Sequence, residues 1–168
     1  MANTDRPRGA EPWGELKRVN EYTAAGAIGI GDLVKKEAAG KVEVIAASGS
    51  QTDIACIGVA ITSADADGDK VIIADHPDQE YRIQADGADI DAQTDIGLNY
   101  GVVATARDSG TKQSRHELDS SSGATDATET LKLLQVDKTE GNALGANVDC
   151  VVKINNHQLA GGTGTAGV

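Results

Sequence analysis

The stretch Glu80-Tyr81-Arg82-Ile83-Gln84-Ala85 alternates without interruption between polar and apolar side chains. In extended backbone successive side chains point to opposite faces, so Tyr81, Ile83 and Ala85 share one face and Glu80, Arg82 and Gln84 the other. That is the signature of a half-buried β-strand. Asn147 to Asn155 repeats it, with Val148, Cys150, Val152 and Ile154 on one side and Asp149, Val151 and Lys153 on the other. Lys41-Val42-Glu43-Val44-Ile45 and Leu131 to Val136 supply further strands. Ile54-Ala55-Cys56-Ile57-Gly58-Val59-Ala60-Ile61 is apolar throughout, which predicts a strand covered on both faces, with Gly58 marking a bulge or a close backbone approach. Between it and Lys70-Val71-Ile72-Ile73 lies Ser63 to Asp69, whose Asp67-Gly68 pair favours chain reversal and predicts a hairpin. Almost no window sustains a 3.6-residue apolar period over three turns. The reading is an all-β domain, a small β-barrel or β-sandwich, over residues 22–158. Gly31-Asp32-Leu33-Val34 and Gly68-Asp69-Lys70-Val71 look alike, but the match is too short to establish a repeat.

At 168 residues the chain suits one domain and leaves little room for two independent cores. It has no Phe, one Trp and three Tyr against twenty Gly, so its core must be built from small aliphatic side chains. Such a core buries less area per residue and, at about 25 cal/mol per Å², leaves a thin margin over chain entropy. Oligomerisation or docking on a larger surface is expected. The net charge of -11 repels phosphate and anionic lipid, which argues against direct nucleic-acid binding. No stretch approaches the roughly 20 apolar residues that span a bilayer, and the N-terminus lacks the apolar segment of a signal peptide. No membrane partner is expected, and the chain reads as a soluble product of the cytosol. Cys56 and Cys150 lie in apolar runs and read as reduced, buried residues rather than a disulfide.

The two ends differ from the body. Residues 1–21 read as an extended N-terminal arm, broken by Pro7, Gly9, Pro12 and Gly14. Over residues 1–20 its four cations, Arg6, Arg8, Lys17 and Arg18, outnumber Asp5, Glu11 and Glu15 by one, so the rest of the chain carries about -12. Trp13 sits in this arm, and a large ring on a mobile segment is costly to leave wet unless something receives it. Residues 108–130, dense in Ser, Thr, Gly and charge, read as a long surface loop. Residues 159–168 have the composition of a flexible Gly-rich tail.

Candidate chemistry is sparse. Gly162, Gly164 and Gly167 have the spacing of a dinucleotide-binding loop, yet no helix follows to receive a pyrophosphate. Asp65, Asp67 and Asp69 mimic the start of a calcium loop, but Lys70 and His76 stand where the turn glycine and the bidentate glutamate belong. That trio, or Asp86, Asp89, Asp91 and Asp95, offers at most a weak calcium site, and solvated turn carboxylates are the simpler reading. His76, His116 and His157 sit in separate segments, and no nucleophile elbow, phosphate-binding loop or paired-cysteine motif occurs. A Ser-His-Asp constellation assembled in space is set by geometry, not by sequence order. Few aromatics argue against stacking platforms for sugars or single strands. No catalytic residue, cofactor or metal is assigned, and the chain reads as a binding or structural module.

Several phrases belong together: Ala2-Asn3-Thr4-Asp5-Arg6-Pro7-Arg8-Gly9, Gly31-Asp32-Leu33-Val34, Ile57-Gly58-Val59-Ala60, Asp75-His76-Pro77-Asp78-Gln79 with Tyr81 to Asp86, His116-Glu117-Leu118-Asp119, and Val152 to His157. Their combination, spread over nearly the whole chain, resembles the small capsid decoration or cement proteins of tailed bacteriophages. The resemblance implies a non-enzymatic virion protein, made in the host cytoplasm, that binds the outer face of the head and bridges neighbouring major capsid subunits. It also implies a β-rich homo-oligomer, dimer or trimer, often with a terminal arm as clamp. The resemblance assigns no contacts to particular residues. The physical reading of the arm nominates Arg6, Pro7, Arg8, Pro12, Trp13, Lys17 and Arg18, with Trp13 entering a pocket and the cations pairing with capsid carboxylates. The alternatives are another virion structural role, in a head-tail connector or the tail, and a host-surface or glycan-binding virion module.

Overall fold

The computed structural model describes residues 3–46, 48–160 and 164–168. Among them the regular structure is all-β: β1 (Glu11–Trp13), β2 (Val19–Thr23), β3 (Leu33–Lys36), β4 (Val42–Val44), β5 (Ser48–Gln51), β6 (Gly58–Ala60), β7 (Lys70–Ala74), β8 (Glu80–Gln84), β9 (Asn99–Tyr100), β10 (Val102–Thr105), β11 (Glu117–Leu118), β12 (Leu131–Val136) and β13 (Asp149–Ile154). Two single-turn 3-10 helices, Gln93–Asp95 and Ser120–Ser122, interrupt the connections. The strands form three antiparallel sheets, in the orders β1-β8-β13-β12-β9, β2-β7-β6-β3-β4 and β11-β10-β5. They do not close into a barrel, so every sheet keeps two edges.

The alternating stretch from Glu80 to Gln84 is β8, which lies between β1 and β13 in the first sheet. Tyr81 and Ile83 are almost fully buried, and they meet Cys150, Val152, Leu131 and Leu133 in the larger core. Tyr81 donates its hydroxyl to the Ala74 carbonyl at 2.8 Å, which satisfies the one polar atom of that ring. The apolar run around β6 serves two cores. Cys56 and Val59 face the larger one, while Ile57 and Ala60 face a smaller one with Ile28, Val34, Val42, Val71 and Ile73. That is why no polar residue interrupts it. At Gly58 a Cβ would lie 2.1 Å from the Ala74 carbonyl oxygen, so the glycine permits a close approach of β7. β6 and β7 pair antiparallel, as the Asp67-Gly68 reversal predicts, and Gly68 takes φ +91°. Val151, on the outer face of β13 opposite Arg82, is also fully buried, which a simple alternation does not anticipate.

Three segments differ from expectation. The arm does not stand away from the body: residues 3–10 lie against it, Ala10 is 2% exposed, and β1 is an edge strand paired with β8. The 108–130 segment is not a free surface loop, because it carries β11 and buries Ser114, His116, Leu118, Asp119 and Ser120. Residues 164–168 of the tail lie beside β9, with Gly167 donating to the Thr125 carbonyl and Lys132 to that of Ala166. The tail residues 161–163, among them Gly162 of the glycine spacing, and Ala2 of the N-terminal phrase fall outside the described residues. In each of the three cases polar side chains bond backbone groups, which hydropathy patterns do not register.

Candidate functional site

The residues nominated for contact lie on a ribbon, 3–23, that follows the edges of two sheets. β1 pairs with β8 and β2 with β7, so the chain from 11 to 23 runs antiparallel to the chain from 82 to 70 and crosses between sheets beside it. Two buried polar residues at the corner hold the crossing. Gln79 accepts the Lys17 N–H at 2.9 Å and donates to the Trp13 carbonyl at 3.2 Å. Asp75, fully buried, accepts from Arg18 Nε at 2.8 Å, Asn20 Nδ2 at 2.8 Å and the Tyr22 hydroxyl at 2.6 Å. Burial alone would raise the Asp75 carboxyl, but the bonds from Asn20, Tyr22 and Arg18 outweigh it and hold it below its ordinary value. Arg18, just before β2, and Asn20 and Tyr22 within it alternate along the chain, so one face of this segment converges on a single carboxylate.

These contacts divide the nominated residues. Arg18 is engaged by Asp75, and Arg8 by Asp149 at 3.0 Å and Glu11 at 3.6 Å. Trp13 is half-buried, with the Arg82 guanidinium 5.6 Å from its ring centroid, and Arg82 in turn holds Glu11 at 2.7 Å. Pro12 lies within β1, opposite Tyr81, and Pro7 is half-buried in the docked segment. Arg6 and Lys17 are exposed, and the described residues give neither an ion-pair partner. Two neighbours were missed: Leu16 at 47% and Val19 at 40% exposure are the apolar part of this outward surface. Their signal was present in the sequence, as apolar side chains in a polar segment with no periodic partner.

The other candidates are occupied by local structure. Asp65 pairs with Arg107 and Lys112, both at 2.8 Å, and lies below its ordinary value through the bond from Lys112 first and that from Arg107 second. Asp69 caps the Asp65 and Ala66 N–H groups, and Asp67 pairs with Lys41. In the second acidic cluster Asp86 and Asp89 both face the Ser120 hydroxyl, while Asp95 accepts the Asp91 and Ala92 N–H groups. Asp86 and Asp89 meet only at that hydroxyl, and the described residues bring no three His, Cys, Asp or Glu side chains together around a common centre. Both cysteines are free and buried.

Each histidine serves the backbone through Nδ1, which accepts an N–H from Asp78 in His76, from Leu33 in His116 and from Leu159 in His157. A neutral ring so engaged carries its proton on Nε2. His116 points that nitrogen at Asp32 Oδ1, 3.6 Å away, inside the protein. Burial pushes this imidazole down, and the Asp32 charge only partly offsets it. Among the described residues no serine, threonine or tyrosine hydroxyl is hydrogen-bonded to a histidine ring nitrogen, while His116 and His157 each keep a buried Nε2 without a hydrogen-bond partner. No family model, curated protein or solved structure matches this chain.

Proposed function

We propose that this protein is a capsid decoration protein, cementing the head of a tailed bacteriophage from outside by bridging neighbouring major capsid subunits. The observation that carries the reading is the outward ribbon of residues 14–21, an exposed connection with Leu16 and Lys17 that leads into the edge strand β2 at Val19, with Arg6 on the preceding segment. An open strand edge bearing apolar and cationic side chains suits the addition of backbone from a partner. The acidic balance of the whole chain suits a face turned away from packaged DNA. Bridging requires no reaction, and repetition of sites on a lattice turns modest contacts into durable attachment through effective concentration. The clamp in this reading is centred on Arg6, Leu16, Lys17 and Val19. Trp13, Arg8 and Arg18 maintain its shape.

The test is reconstitution on heads that lack the protein. Leu16→Asp with Val19→Asp should abolish attachment while the circular dichroism and unfolding midpoint of the free protein stay close to wild type. Full occupancy by that variant would overturn the assignment of the ribbon. Copy number per particle separates the alternatives: decoration scales with the number of capsid subunits, whereas a connector forms a single closed ring of about six or twelve copies.

A further inference from the structure

Between β4 of one sheet and β10 of another lies a cavity of about 240 Å³. Asp32, just before β3, and His116, just before β11, both line it, and both are almost fully buried. Val44 and Ala46, at and beyond the end of β4, and Ala106, beyond β10, give it an apolar wall, with Arg107 beside them. Ala106 is exposed, which places the mouth of the cavity at that residue.

Each of the two buried residues is fixed through one atom and unanswered at another. Asp32 accepts the Gly29 N–H through Oδ2 at 2.6 Å, and His116 accepts the Leu33 N–H through Nδ1 at 3.3 Å. Asp32 Oδ1 and His116 Nε2 have no hydrogen-bond partner among the described residues and stand 3.6 Å apart. Buried polar atoms are ordinarily paired, so two orphans on facing side chains at one cavity call for a ligand group that answers both. Gly29 keeps the arrangement open: a Cβ there would lie 2.8 Å from Arg107 Cβ and 3.2 Å from Asp32 Oδ2, crowding both residues.

The chemistry of the pair selects its partner. Burial pushes the imidazole down, so at neutral pH the ring is uncharged and, with Nδ1 accepting, carries its proton on Nε2. The site therefore offers one N–H donor and one carboxylate acceptor. A second carboxylate would meet the charge of Asp32, and Arg107 is not free to offset it, because its guanidinium already holds Asp65 at 2.8 Å and the Ile28 carbonyl at 3.2 Å. An ammonium answers Asp32 but cannot accept from Nε2, and a ketone does the reverse. A hydroxyl does both. At about 2.8 Å from each atom and with near-tetrahedral directions, its oxygen needs roughly 4.5 Å between them, so seating it parts the pair by about 1 Å. Since a cavity of about 150 Å³ takes benzene, this one takes a body of roughly six to nine non-hydrogen atoms.

We infer that the cavity binds a small neutral molecule with an apolar body and one hydroxyl, which accepts from His116 Nε2 and donates to Asp32 Oδ1. No residue of the 14–21 ribbon lines it, and the inference does not rest on the capsid reading.

The test titrates the full chain with cyclopentanol, cyclopentanone and cyclopentylammonium, three probes of one ring size that both donate and accept, only accept and only donate. The assigned ring signals of His116 in nuclear magnetic resonance spectra read the binding. Cyclopentanol should shift them saturably, with a Kd of about 1 mM for a molecule of this size. The other two should bind at least tenfold more weakly, because each leaves one buried atom unpaired. Ala106→Phe, at the exposed mouth, should abolish the shift while the circular dichroism stays that of wild type. No saturable shift with cyclopentanol would overturn the inference, as would a preference of less than tenfold over either other probe, or an unchanged shift in folded Ala106→Phe. Should that variant fail to fold, the three probes on the unsubstituted protein decide the matter alone.

Discussion

Asp75→Ala removes the carboxylate on which one whole face of β2 converges. Three donors lose their acceptor: Arg18 Nε, Asn20 Nδ2 and the Tyr22 hydroxyl. A hydrogen bond to a charged acceptor contributes about 1.5–3 kcal/mol when it is screened from water. The Arg18 side chain is 42% exposed, so water screens its pairing and it adds little. Asn20 is exposed and Tyr22 only half-buried, so water recovers part of their bonds, leaving about 1–1.5 kcal/mol each. Removing a buried charge also relieves its desolvation, but a small cavity replaces it at the corner, and the two effects oppose each other. The expected loss is about 2–3 kcal/mol, which for a chain of this length lowers Tm by roughly 4–12 °C. Urea unfolding followed by circular dichroism reads it as a lower midpoint at unchanged slope. Asp75→Asn, which keeps the shape and one acceptor, should fall between wild type and Asp75→Ala. A loss below about 1 kcal/mol would refute the reasoning, because it would mean that water satisfies these donors and that β2 is held by its ladder to β7 alone.

Gly58→Ala should cost about 3 kcal/mol or fail to fold, since a Cβ 2.1 Å from the Ala74 carbonyl forces β6 and β7 apart; thermal unfolding checks it. Trp13→Ala should cost about 1–2 kcal/mol through lost packing and the Arg82 contact, and should affect head binding less than Leu16→Asp; calorimetric unfolding beside a binding assay separates the two effects. Burial pushes His157 down to about 4, so the unfolded chain takes up its proton near 6.5 before the folded one does. Its contribution is complete above pH 6.5 and is lost as pH falls toward 4, by about 3 kcal/mol, and His157→Asn should flatten that limb of the stability profile. Glu117 and Glu129, pushed up to about 7 by burial and then by neighbouring carboxylates, act in the opposite sense. Their unfolded forms ionise near 4.5, so stability falls as pH rises from there to 7, and Glu129→Gln should remove part of that fall in the same titration.

The sequence by itself determined that this is a β protein and where most of its central strands lie. Alternation at 80–85 and 148–154 is a consequence of extended backbone on one buried face. The uninterrupted apolar run around Gly58 predicts a strand with both faces covered; only its part Gly58–Ala60 is regular strand, but the run does sit between the two cores. Only the tertiary structure decided the status of the two ends and of residues 108–130. Composition marks them as polar, and polar segments are ordinarily solvated. Whether Gln79, Gln84, Gln113 and Asp75 meet these backbone and side-chain partners depends on residues 53 to 105 positions away in the chain, and no local pattern carries that distance. The same long-range pairing engages Arg8, Arg18 and Trp13 within the fold and turns Arg6, Leu16, Lys17 and Val19 outward. Charge and ring size nominate residues for a surface, but the register of β1 on β8 and of β2 on β7 selects which of them reach it.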